Sequence, residues 1–222
     1  MFRSTAFLLG LACWAACCPA DEKKVPLETE IPREILAGTP PNMLVKLFPN
    51  LEMPPDKAPE LLVPEGTKNV ALKKKITASD NEPILGKLEF ITDGVKEGTE
   101  ESYVELAPGS QWIQIDLEKP TKIYALYLWH FFREARSYHD VIIQVADDAE
   151  FTKNVQTIFN NDTDASSKQG IGKERPYIET NKGRMIDAKG VTGQHVRLYS
   201  KGNTANSMNH YVEVEVFGKP AS

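Results

Sequence analysis

Residues able to recognise a ligand gather in two stretches of this chain. The first reads Trp129-His130-Phe131-Phe132-Arg133-Glu134-Ala135-Arg136-Ser137-Tyr138-His139. The second, Asn203 to Tyr211, carries Asn203, Asn206 and Asn209, with His210 beside Tyr211. Arginine and asparagine offer paired donors that suit the vicinal hydroxyls of a sugar. Phe131, Phe132, Tyr138 and Tyr211 offer aromatic faces on which a sugar ring can stack. The candidate ligand-binding residues are therefore His130, Arg133, Glu134, Arg136, His139, Asn209 and His210. The same residues admit two other readings. Trp129, His130, Tyr138 and His139 could close the edge of a core by hydrogen bonding, and His130, His139 and His210 could hold a metal ion.

Catalytic chemistries are less well served. His139 and Asp140 are sequence neighbours, so a strand puts them on opposite faces, and no Ser-His-Asp arrangement emerges. Asn160-x-Asp162-x-Asp164 opens like an EF-hand loop, but Ala165 stands where that loop needs glycine and Ile171 where it needs glutamate. A solvated turn is the better reading. The three cysteines, Cys13, Cys17 and Cys18, all lie close to the N-terminus.

The two stretches need elements to position them, and the chain from Trp112 onward supplies strands. In Trp112–Leu117, Ile113, Ile115 and Leu117 alternate with polar residues. In Tyr211–Phe217, Val212, Val214 and Val216 alternate with Tyr211, Glu213, Glu215 and Phe217. A period of two gives one face to a core and the other to water. Ile123–Trp129 is apolar on both faces, as a central strand should be. His130 ends that strand and His139 begins the next, so a hairpin would fold the two toward one another. Short strands of this kind, with polar turns between them, predict an antiparallel sandwich.

Six pieces occur in a telling order: NVALKKKITAS (Asn69–Ser79), ITDG (Ile91–Gly94), QWIQIDLEKPTKI (Gln111–Ile123), VIIQVADD (Val141–Asp148), HVRLYS (His195–Ser200) and VEVEVFG (Val212–Gly218). This order resembles a discoidin, or coagulation-factor type C, domain from about Asn69 to Gly218. The resemblance implies an all-β fold, the galactose-binding-like jelly-roll β-sandwich. It implies a ligand site in the loop after Ile123–Trp129, where sugar-binding members often carry arginine. It also implies a structural Ca2+, with Asp93 and Glu213 matching the family's acidic positions. The sugar-binding pattern has a further acidic or amide residue two positions after the aspartate, and Val95 stands there instead. Family members bind sugars, lipids or proteins, so the resemblance specifies fold more closely than ligand.

The N-terminus reads as a secretory signal, residues 1–20, with Arg3, an apolar run and Cys18-Pro19-Ala20 before Asp21. Cys13 and Cys17 leave a lipoprotein reading open. Cleavage after Ala20 would remove every cysteine and with them all disulfides and thiolate metal sites. Nine of the 15 prolines fall between Pro26 and Pro64. Because proline restrains itself and the residue before it, 21–66 reads as a proline-rich extended arm with a short helix near 43–48. Its apolar residues should lie against the domain, residues 67–219. The formal charge is −5, which argues against nucleic acid as a partner, and against membrane unless the chain is lipidated.

The expectation is an exported module (periplasmic, cell-surface or extracellular), non-catalytic, binding carbohydrate or glycoconjugate. A structural or protein-interaction module of the cell envelope, contacting an envelope or extracellular protein, is the alternative. A metal-dependent enzyme using the loop histidines comes third.

Overall fold

The computed structural model describes residues 22–33 and 40–221, so the expected signal segment lies outside the described residues. The arm contributes β1 (Lys24–Pro26), α1 (Pro41–Leu47) and β2 (Leu62–Pro64). The domain follows with β3 (Lys68–Asn69), β4 (Ile76–Ala78), β5 (Val104–Leu106) and β6 (Gln111–Trp129). It continues with β7 (Ile142–Ala146), β8 (Gln156–Asn160), β9 (Arg184–Ser200), β10 (Asn209–Tyr211) and β11 (Glu213–Pro220).

β6 and β9 form one long antiparallel ribbon, from Gln111 opposite Ser200 to Leu128 opposite Arg184. Its register shifts between Asp116 and Thr121. There Glu118 takes a left-handed φ of 66° and Pro120 has no N–H to give the ladder. Before the break β6 pairs with β4, and β9 pairs with β7, which in turn carries β8. Beyond it β6 pairs with β11, which carries β3. One ribbon thus serves both layers of the sandwich. Ile113, Ile115 and Leu117 from the first half meet Leu126, Leu128, Val214 and Val216 from the second in the main core.

The outer face of the second half is also apolar. Ala125, Tyr127, Trp129 and Phe217 form a second cluster, and the arm covers it with Leu27, Ile31 and Leu61. This is why Ile123–Trp129 has no polar face. β1 pairs with β2, and the Tyr127 hydroxyl donates to the Pro59 carbonyl at 3.4 Å. α1 begins at Pro41, where a missing N–H costs nothing, and seats Leu44 against Leu51 and Ile178.

Two sequence expectations need correction. Val212 does not share a face with Val214 and Val216: it joins the outer cluster, while Tyr211 enters the main core. The alternation resets at Val212, where the chain leaves its pairing with β5 and takes up β6. Glu213 and Glu215 do not face water either, being 0% and 7% exposed. The loop after Asp93 and the arm cover them: Lys96 Nζ lies 2.7 Å from Glu215 Oε1 and donates to the Thr29 hydroxyl and the Glu30 carbonyl, both at 2.9 Å.

Candidate functional site

A cleft of about 460 Å³ opens where the β6–β7 connection meets the β5–β10 pair. Gly98, Thr99 and Glu100 form one wall, Phe131, Arg133, Glu134 and Arg136 another, and Tyr103, Glu105, Asn206 and His210 complete the lining. The register sets Glu105 opposite His210, so the short β5–β10 ladder fixes two of these side chains relative to each other.

The centre is aromatic. Tyr103 meets Phe131 edge-on with ring centroids 5.2 Å apart, and the Arg136 guanidinium lies over Phe131 at 4.5 Å. Arg136 is 4% exposed and bonded to the Glu134 carboxylate, so its charge is already engaged. Arg133 makes no such pair among the described residues, leaving its guanidinium for a ligand.

His210 joins the wall to the core. Its Nε2 lies 2.9 Å from Glu105 Oε2, and its Nδ1 lies 2.8 Å from the Tyr138 hydroxyl. Burial raises the Tyr138 pKa well above that of a free phenol, so its hydroxyl keeps its proton and donates to Nδ1. Nε2–H then donates to the carboxylate. Burial also drives the His210 pKa down to about 3, helped by the charges of Arg136 and His130. Glu105 pulls the other way, but burial prevails, and the imidazole is neutral.

A depressed histidine pKa means that the unfolded chain binds more protons than the folded one between the two values. Stability therefore falls as pH drops from about 6.5 toward 3, with a slope approaching about 1.4 kcal/mol per pH unit for this one group. Chemical denaturation from pH 7 to pH 4 should show wild-type stability falling relative to that of His210→Gln with that slope, the comparison cancelling the opposite contribution of the buried Glu213 carboxyl, which is common to both. Equal slopes would mean that His210 is not held neutral.

The other expected residues divide. His130 is fully buried under the cleft, stacked on Tyr138 at 4.2 Å with Nδ1 2.7 Å from Glu179 Oε1. Asn209 is also fully buried and fully used. Its Oδ1 accepts from Ser200 and Gly202, and its Nδ2 donates to the Ala107 and Gly109 carbonyls. Both are supports beneath the cleft. His139 is elsewhere. The β6–β7 connection is a crossing from one layer to the other and not a hairpin, because β6 and β7 each pair with β9. Alternation then turns Tyr138 inward and His139 out into a separate hollow of about 360 Å³ with Asp140, Asn161 and Asp164. His130, His139 and His210 do not converge on one point, so the histidine metal site is overturned.

Beside that second hollow, carboxylate oxygens of Asp140, the fully buried Asp162 and Asp164 lie within 4.8 Å of one another. Most of their acceptor capacity is spent on the loop itself. Asp162 takes the backbone N–H groups of Asp164, Ser166 and Ser167, and Asp140 takes the hydroxyls of Ser166 and Ser167. The turn expected at Asn160–Asp164 is therefore an aspartate-capped loop.

Asp93 and Glu213 do come together. Glu213 Oε2 accepts from Gly94 N at 3.2 Å, and Asp93 Oδ1 accepts from Val95 N at 2.8 Å. Glu213 Oε1 is buried without a hydrogen-bond partner among the described residues. Burial, reinforced by the charges of Glu215 and Asp93, pushes the Glu213 pKa up to about 9.

Tyr103, Glu105 and the Gly98–Glu100 wall escaped the sequence reading. Tyr103-Val104-Glu105-Leu106 has the alternation of a strand, the one signal that could have placed them. Its pairing with Asn209–Tyr211 spans about a hundred residues and leaves no local trace.

No family model matches the chain, and no curated sequence does. Solved structures do. A family 89 glycoside hydrolase from Clostridium perfringens aligns with TM-score 0.52 and 18% identity over 68% of this chain, which spans only 15% of the hydrolase. A fucose-binding module from Streptococcus pneumoniae aligns with TM-score 0.47 and 21% identity, over 67% of this chain and 96% of its own. A fucolectin from striped bass, Morone saxatilis, gives TM-score 0.48 and 18% identity, over 70% of this chain and 50% of its own. At these identities the likeness is one of fold. The chain folds as an all-β, antiparallel jelly-roll sandwich, as the order of its motifs implies.

Proposed function

We propose that this protein is an exported, non-catalytic module that binds carbohydrate in the cleft over Phe131. The observation that carries the reading is the pairing of a half-buried aromatic edge, Phe131 with Tyr103, with an uncommitted Arg133, the Glu105 carboxylate and the Asn206 amide N–H groups. A sugar has an apolar C–H face and a rim of hydroxyls, and this lining answers both. Binding in place of catalysis is supported by the state of the titratable groups. Glu134 is bound to Arg136, Glu105 accepts from His210, and His210 has both nitrogens engaged. None of the three is poised to move a proton.

Screening the purified protein on a glycan array tests the reading. Selective binding of at least one glycan class supports it, and an array blank at millimolar sensitivity refutes it. Export follows from residues 1–20 of the sequence alone, and the intact mass of protein recovered from its host decides it. A mass retaining Met1–Ala20 would overturn export. A second reading, contact with another protein, is favoured by exposed apolar side chains around α1: Met43, Leu47, Phe48 and Met53.

A structural calcium belongs to the same proposal. The unpartnered Glu213 Oε1 is an oxygen short of a cation, and Asp93 stands beside it. Glu213 and Asp93 would hold the ion with carbonyls of the Asp93–Thr99 loop, and the ion would supply local charge balance and loop order. A ligand that binds only the folded state raises its stability by mass action. After thorough chelation, added calcium should raise the thermal midpoint of the wild type but not of Glu213→Gln. An unchanged wild-type midpoint would mean that the Lys96 ammonium is the only cation this loop uses.

A further inference from the structure

We infer that the N-terminal arm builds a second subsite onto the cleft, so that the ligand is a chain of at least two sugar units and not a single sugar. The inference rests on the carbohydrate reading above and concerns the part of the protein outside the jelly roll. A hollow of about 520 Å³ lies between the arm, at Glu30, Ile31, Pro32 and Arg33, and the domain at Glu97, Thr99 and Arg133. Thr99 and Arg133 also line the cleft over Phe131. The two hollows therefore share a ridge, and a ligand seated on Phe131 that extends past Arg133 enters the second.

The arm wall is built. Its backbone is fixed on both sides of Ile31: Lys96 donates to the Glu30 carbonyl at 2.9 Å, and the Asn181 side chain donates to the Pro32 carbonyl at 2.9 Å. Ile31 packs against the cluster containing Trp129. Proline at 32 restrains the turn of chain further. A wall held this way loses little entropy when a ligand arrives, which is the condition for a subsite to add affinity.

Chemistry points the same way. Glu30 and Arg33 are exposed and make no side-chain hydrogen bond among the described residues, so a carboxylate and a guanidinium face the hollow uncommitted. Glu97 and Arg133 repeat that pair on the domain side. A lining of both signs in balance favours hydroxyl-bearing, uncharged units over an ionic polymer. Carboxylates accept from hydroxyls and guanidinium groups donate to them.

The test uses the full chain and titration calorimetry with neutral oligosaccharide ladders of one to six units: glucose, mannose, galactose, fucose and N-acetylglucosamine. On the ladder that binds, the wild type should gain about tenfold or more in affinity between the monosaccharide and the oligomers. The double variant Glu30→Gln/Arg33→Gln should bind the monosaccharide as the wild type does and lose most of that gain. Its thermal midpoint should be unchanged, since both side chains are exposed. Equal affinity for monomer and oligomer in the wild type overturns the subsite. So does a length gain that survives in the double variant. If no ladder binds, the subsite for neutral oligosaccharides falls, and the glycan array alone decides whether the carbohydrate reading stands without it. Binding of the monosaccharide without a length effect removes only the subsite.

Discussion

Lys96→Met should destabilise the protein by about 3–5 kcal/mol, the usual cost of removing one partner from a buried ion pair. The ammonium is 7% exposed and has four neighbours of different kinds. It lies 2.7 Å from Glu215, donates to Thr29 and Glu30 of the arm, and sits over the Trp129 ring at 4.5 Å. Methionine matches its length and keeps the contact with Trp129, but leaves Glu215 buried without a counter-ion beside Glu213. In a protein of this size the loss corresponds to about 6–20 °C in thermal midpoint. The comparison that decides the cause is Lys96→Met/Glu215→Met. Replacing both members of a buried pair with apolar residues is often neutral. The double variant should recover most of the midpoint if the unpaired charge is what costs. No recovery would show that the arm contacts carry the stability. In both variants limited proteolysis should cut the arm between β1 and β2 faster than in the wild type. An uncut arm in Lys96→Met would mean that the apolar cluster alone holds it.

That network shows where the sequence was legible and where it was not. The strands with strict alternation or continuous apolar character were readable, because their pattern is local and the core enforces it. Trp112–Leu117 and Ile123–Trp129 became the two halves of β6. The apolar outer face of Ile123–Trp129 also announced a cover, and the arm provides one. Glu213 and Glu215 looked solvated because carboxylates in alternation ordinarily are. Lys96, more than a hundred residues earlier, and the Thr29 hydroxyl of the arm make burying Glu215 tolerable, and no local pattern signals partners at that separation. The cleft was half legible for the same reason. Arg133, Glu134, Arg136 and His210 could be chosen by residue type within loops, whereas Tyr103 and Glu105 depend on β5 pairing with β10. His139 was misplaced because two consecutive strands were taken to pair with each other. Each pairs with β9, and the connection crosses between layers.

The largest functional effect should come from Phe131→Ala combined with Arg133→Ala. Hydrogen bonds from a charged donor are worth about 1.5–3 kcal/mol, and an aromatic stacking contact about 0.5–1.5 kcal/mol. Both residues would touch the same sugar, so their effects need not add. A combined loss of about 2–4 kcal/mol, roughly thirtyfold to a thousandfold in affinity, is expected for whichever glycan the array identifies. Arg133→Ala alone should leave the thermal midpoint where it was, because no described residue depends on its guanidinium. Arg136→Ala behaves differently. Its side chain is buried over Phe131 and bonded to Glu134, so its loss should lower stability and disturb the ring that stacks on the ligand. Titration calorimetry beside thermal unfolding separates the two arginines: affinity falls without destabilisation at Arg133, and with it at Arg136. The pH dependence adds a third check. With His210 neutral, wild-type affinity should be flat from pH 8 down to pH 5, and a fall in affinity centred near 6.5 would place a titrating imidazole in the site. Full affinity in the Phe131→Ala/Arg133→Ala variant would move the ligand out of this cleft altogether.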